Sequence, residues 1–465
     1  MATAAETIAQ WSTTIAPGDI PDDVKEHAKL HVLDVLGCGL AAHAIGLATE
    51  GRATMRELGG EPQATVIGWD GRLPAANAAF ANAMVCHGLD FDDTHSDSGS
   101  HVSVVVTPAA LAAAELYGSS GADALAAIVA GNEIDTRIGM AAPGVMHGKG
   151  FHPTAICGVF AGTAAIARLA GMTAEPTTRA IGIAGSMASG IFAYLADGTQ
   201  TKPIHPAWAA HGAHVATRLA HHGGEGPRSV FDAKFGLYHT FLGIEPGSGD
   251  LEKQVADLGS RWETPRIAYK PYPICHFTHG AVGSAVDAVA GRLFAPDEIA
   301  EVVVSVPDNW IPIVLEPADE KKVPRTEYEG KFSLQYAIAS MLVRGHVGVM
   351  DFTEEAITDA AVLAVAAKVS HEPRTFSTYP EAFPGSARIR LASGDVLEKE
   401  LPYQKGGPEN PISADEVRAK FRGNAALALP EDAVAALEEA ILTLDEQPDV
   451  TTALRPLTAT KLVAA

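Results

Sequence analysis

Most of the first 260 residues fall into Ala-rich segments that are apolar on nearly every side. Such segments must be buried among one another, and small side chains let helices approach closely. Runs at about 73–86, 107–117, 121–140, 153–170, 175–195 and 206–221 read as helices of this kind. Pro21-Asp22-Asp23 opens another, in which Val24, Ala28, Val32, Val35 and Leu36 recur at three-to-four spacing. A proline with acids beside it suits a first helical turn. This part of the chain reads as all-α.

Past residue 260 the pattern changes. Glu301–Pro307 is a short β-branched run ended by proline. Ala387–Leu391 alternates polar and apolar, meets Ser393-Gly394-Asp395 and continues into Val396–Leu401, the signature of a β-hairpin. Helical stretches near 278–292, 331–344 and 353–369 accompany these strands. The tail returns to helix, with a capping-box spacing at Ser413-Ala414-Asp415-Glu416 and a further helix from Glu431 to Leu442. The expected fold is mainly α. A large all-helical domain formed by both chain ends, residues 1–264 and 403–465, carries an inserted smaller α/β (α+β) lid domain at 265–402.

Charge narrows the partners. The 465 residues hold 34 Lys+Arg against 56 Asp+Glu, a net charge of -22, which argues against nucleic acid and against an anionic membrane surface. A small anionic substrate stays open, because a pocket can be locally basic. Cys38, Cys86, Cys157 and Cys275 form no CxxC pair and read as buried reduced thiols. No stretch approaches the roughly 18–20 apolar residues of a bilayer span, and the first residues lack signal-peptide features, so a cytoplasmic protein is expected. There is no GxGxxG after a strand, no GxxxxGK[ST], no GxSxG and no HExxH, which disfavours the common cofactor and nucleophile chemistries. Gly185–Gly190 reads as helix contacts or a bend.

The densest polar cluster runs from His87 to His101, with Asp90, Asp92, Asp93, Asp97 and His95 between them. It hangs between two apolar segments, and burying such groups without partners would be costly. A solvated loop with an Asp helix cap and a divalent-cation site are the alternatives to a catalytic loop, which is the preferred reading. His152 precedes a helix, where capping is its simplest role. Lys202 also sits where a helix opens; alone it would read as a surface lysine. Lys270 lies in a stretch stiffened by Pro271 and Pro273. His276 and His279 are three apart but lack a third zinc ligand and read as core or outer histidines. Together these residues offer histidines for proton transfer and lysines for carboxylates, with helix N-termini beside Lys202 and His152 adding favourable dipoles.

In order, His87-Gly88-Leu89-Asp90-Phe91-Asp92-Asp93-Thr94 with His101, Gly150-Phe151-His152-Pro153-Thr154, Thr201-Lys202-Pro203, Lys270-Pro271-Tyr272-Pro273, Lys331-Phe332-Ser333-Leu334-Gln335-Tyr336 and Asp351-Phe352-Thr353 resemble the MmgE/PrpD superfamily over nearly the whole length. This superfamily includes 2-methylcitrate dehydratases, cis-aconitate decarboxylases and iminodisuccinate epimerase. The resemblance implies a homodimer with its active site between helical domain and lid, and no cofactor or metal. It implies proton-transfer roles for His101 and His152, with Lys202 and Lys270 holding substrate carboxylates. Asp90 would orient a histidine or share in proton transfer, and Thr94, Tyr272 and His276 would contact substrate. A histidine that the decarboxylases carry after the lid lysine falls on Cys275, beside His276. The tryptophan-containing loop of the 2-methylcitrate dehydratases is absent after Thr94.

The expected activity is that of a cofactor-independent lyase, decarboxylase or dehydratase, acting on a small di- or tricarboxylate. An epimerase of an iminodisuccinate-like acid and an inactive binding protein are the alternatives.

Overall fold

The computed structural model describes residues 2–196, 198–379 and 382–460. The chain is mainly helical. The helix Asp22–Ala44 starts behind Pro21, and Ala75–His87, Gly121–Met140, Pro153–Leu169 and Ile204–His221 follow the Ala-rich runs closely. Small residues set how near these helices lie. A Cβ on Gly131 would come within 2.5 Å of Val106, and one on Gly158 within 2.7 Å of Val105. The helix Ser103–Tyr117 therefore meets both neighbours at distances that only glycine permits.

Three boundaries differ from the expectation. The helix expected near 107 begins at Ser103 and contains Pro108. Val104-Val105-Val106 ahead of a proline disguises its first turns, since β-branched residues and proline are weak helix formers. The run 175–195 ends as helix at Ala184; Gly190, at φ +112°, and a 3-10 turn at Phe192–Ala196 follow. The stretch 353–369 resolves into a 3-10 turn at Ala356–Thr358, the helix Ala360–Ala366 and the strand Val369–His371. Two further short strands, Ala64–Val66 and Trp69–Leu73, pair antiparallel and were too short to leave a period in the sequence.

The four-stranded sheet runs Val369–His371, Ile299–Ser305, Gly385–Leu391, Val396–Leu401 in spatial order. Its first pair is parallel and the others antiparallel. The expected hairpin is present, with Arg388 opposite Glu398 and Gly394 taking φ +96° in its turn. The capping box is also present: Ser413 N donates to Glu416 Oε2 at 2.8 Å and Glu416 N to Ser413 Oγ at 3.2 Å.

One apolar core joins Ala4, Leu33, Phe160 and Phe231 to Phe421, Leu437 and Leu454, so residues from both chain ends share it. A second gathers Ile274, Val302, Val304, Tyr336 and Ile389. All four cysteines are buried and unbridged. Among the described residues no helix is long and apolar enough to cross a membrane.

Candidate active site

The stretch after the helix Ala75–His87 is buried, not solvated: His87, Asp90, Asp92, Asp93, Thr94 and His101 all lie beneath the surface. Each acid has found a partner, as burial of charge demands. Asp90 takes the left-handed conformation, φ +52°, which costs an L residue about 1–2 kcal/mol. Strain of that kind persists only where surroundings hold it. Here Lys270 Nζ bonds both the Asp90 carbonyl oxygen and Oδ1, each at 2.8 Å. Lys202 Nζ reaches the same Oδ1, also at 2.8 Å. Burial alone would raise the Asp90 carboxyl; Lys202 and Lys270 prevail and hold it well below the usual carboxylate range. Burial likewise opposes charge on Lys202, but Asp90 prevails and raises it.

Beside this trio stand the histidines. Asp92 accepts from His87 Nδ1 at 2.9 Å and lies 3.0 Å from His101 Nδ1. One carboxylate thus orients two imidazoles. His101 Nε2 lies 3.7 Å from Asp90 Oδ1. Burial, with help from Lys270 and Lys202 against the pull of Asp92, lowers His101 to about 4, so the ring is neutral near pH 7. His152 sits 6.0 Å from His101 between ring centroids and is also held neutral, chiefly by burial. Its Nδ1 is 3.1 Å from His205 Nδ1, so one of the pair donates and the other accepts.

Four structural ties fix the cluster. Thr94 and Ala268 exchange backbone hydrogen bonds at 2.9 and 2.8 Å, which locks the loop to the segment carrying Lys270. Asp93 accepts from Ser103 N at 3.1 Å and pairs with His31 at 2.8 Å, which ties the loop to the helix Asp22–Ala44. Lys420, from the helix Ala414–Ala428, donates to the Phe91 carbonyl at 2.8 Å and pairs with buried Asp34 at 2.7 Å. The bend at 185–196 closes over His152, whose N–H donates to the Gly190 carbonyl at 3.0 Å.

The model of the MmgE/PrpD N-terminal domain matches residues 6–248, and that of the C-terminal domain matches 272–446. The chain belongs to the MmgE/PrpD family. A cis-aconitate decarboxylase-like protein of Aspergillus oryzae is 28% identical over 95% of both chains. The cis-aconitate decarboxylase of Aspergillus terreus is 28% identical over 97% of this chain and 95% of its own. The human cis-aconitate decarboxylase is 28% identical over 93% and 90%.

Of the residues expected in this MmgE/PrpD chain, Asp90, His101, His152, Lys202 and Lys270 meet in one cluster. Thr94 is buried beside them in sequence, and its Oγ1 has no hydrogen-bond partner among the described residues. His276 is buried, stacks on Phe383, and neither ring nitrogen has a hydrogen-bond partner among the described residues. The Cys275 thiol is also buried, and burial with Asp90 nearby pushes it to about 11. Tyr272 packs against His279, 5.4 Å between centroids, and makes no side-chain hydrogen bond to the cluster among the described residues.

Sequence reasoning gave no individual role to His87, Asp92 or His205. Their signal was position: two lie inside the polar stretch and the third follows Lys202 within three residues. One ring nitrogen each from His87, His101 and His152 lies within 4.8 Å of the others, a spacing that a transition metal could bridge. Two ammonium groups already on Asp90 oppose a cation there.

Proposed function

We propose that this MmgE/PrpD chain is a cofactor-independent lyase that decarboxylates a small tricarboxylate of the cis-aconitate type. The observation that carries the reading is the convergence of Lys202 and Lys270 on Asp90 beside neutral His101. The names of the relatives support it. A helical domain of residues 1–264 and 403–465 with a lid of 265–402 fits the two apolar cores and belongs to the same proposal.

In this mechanism substrate carboxylates take the ammonium groups of Lys202 and Lys270, sharing them with Asp90. The leaving carboxylate sits one carbon from a C=C bond. As the C–C bond to it breaks, that electron pair forms a new double bond and carbon dioxide departs. The pair of the old double bond takes a proton at its far carbon. His101 supplies that proton, with His152 as the second transfer group. A free enzyme with neutral His101 must first gain the proton, and the charge of the bound acid favours the imidazolium. Substrate binding is therefore accompanied by proton uptake.

Mass spectrometry after incubation with cis-aconitate, citrate, 2-methylcitrate and iminodisuccinate tests the reading. Loss of carbon dioxide from cis-aconitate is expected. Loss of water from citrate or 2-methylcitrate would make it a dehydratase, and inversion without mass change an epimerase. No change in any compound would sink the proposal.

A further inference from the structure

A third buried lysine borders the site. Lys331 ends the short helix Glu327–Lys331 and is only 2% exposed. It makes no ion pair and no side-chain hydrogen bond among the described residues. A lysine buried without a counter-ion is costly, and such groups mark places where an anion arrives. Its position ties it to the site. The Lys331 carbonyl accepts from Cys275 N at 2.9 Å, so it borders the segment that carries Lys270. The next residue, Phe332, lies under Lys202, with Nζ 5.9 Å from the ring centroid. The charged groups acting on the Lys331 amine are Asp90, Lys270 and Lys202 from the site and Glu327 from its own turn. Burial is the main influence and lowers it to about 8. Asp90 Oδ1 already serves two ammonium groups, and neither Asp90 nor Glu327 forms an ion pair with Lys331 among the described residues.

We propose that Lys331 is a substrate-binding residue whose ammonium receives a third carboxylate, alongside those taken by Lys202 and Lys270. The inference rests on the carboxylate-binding reading of those two lysines. It makes Lys331 the residue that separates tricarboxylates from dicarboxylates.

Propane-1,2,3-tricarboxylate and glutarate share one carbon chain and differ by the central carboxylate, and neither has a double bond to react through. Calorimetric titration of the full-length protein with each is the test. The wild type should bind the tricarboxylate more tightly. Lys331→Met should weaken it by about tenfold or more, the scale of one lost charge-assisted hydrogen bond, and change glutarate less than about threefold. Lys331→Arg should recover most of the loss. Equal weakening of both acids, or of neither, would overturn the assignment. So would a wild-type protein with no preference for the tricarboxylate, a result that needs no variant to fold. Release of carbon dioxide from cis-aconitate is measured separately. Turnover with an unaltered preference in Lys331→Met removes this inference alone, whereas a Lys331-dependent preference without turnover removes only the decarboxylase reading.

Discussion

Lys270 grips Asp90 at two points, the backbone carbonyl oxygen and the carboxylate Oδ1, both at 2.8 Å. The lysine therefore fixes a strained turn and a charge with one group. Asp90→Asn keeps the carbonyl contact and removes the charge that Lys202 and Lys270 share. Leaving buried ammonium groups without their anion should cost about 3–5 kcal/mol. We expect a clear drop in melting temperature together with loss of most turnover. A variant that melts and turns over like the wild type would mean that Asp90 is not the anchor.

His101→Ala and Lys202→Ala should each remove most turnover, at least about 100-fold for the loss of a proton-transfer group. Circular dichroism should remain that of a folded protein in both. Near-normal rates in the two variants would defeat the site assignment.

Stability should fall with acid. His101 is lowered to about 4, and His214 and His279 to about 3, mainly by burial, against 6.5 for a free imidazole. Unfolding exposes rings that bind protons the folded state refuses. The unfolded state therefore gains as pH falls from about 6.5 toward 4, and the contribution is fully present above that window. Melting temperatures recorded between pH 7.5 and 4.5 should decline steadily. His214→Gln, distant from Asp90 in the chain, should flatten the decline. A flat profile in the wild type would contradict the burial of these rings.

Chelators should leave turnover unchanged, because the lysines on Asp90 already supply its counter-charge. Activity lost to chelation and restored only by a metal ion would favour the three-histidine cluster as a metal centre.

The resemblance implies two copies per assembly, and we expect their contact on the outer face of the helix Ile204–His221. Ile204, Trp208, Val215 and Leu219 are exposed there at helical spacing. Light scattering should give twice the chain mass, and Trp208→Glu with Leu219→Glu should halve it. A wild-type monomer would count against the expectation.

The site was legible where charge density stood out against apolar flanks. His87–His101 could not be an ordinary helix turn, and Lys202 and Lys270 sat at stiff breaks. What the sequence hid was mutual arrangement. Nothing in the spacing tells that Asp92 rather than Asp90 orients His101, because both lie on the same short loop. Lys331 lies in the motif Lys331–Tyr336, yet its burial depends on packing by distant segments. Among the elements, long Ala-rich helices were readable from composition and period. Helix Ser103–Tyr117 starts earlier than its sequence suggests, because tertiary burial overrides the weak propensity of three valines and a proline.

Lys420 joins residue 91 to a helix more than 300 positions later in the chain. During synthesis the polar loop emerges more than 300 residues ahead of the ammonium that steadies its Phe91 carbonyl. The loop therefore waits for that support until the helices between the two positions have been made.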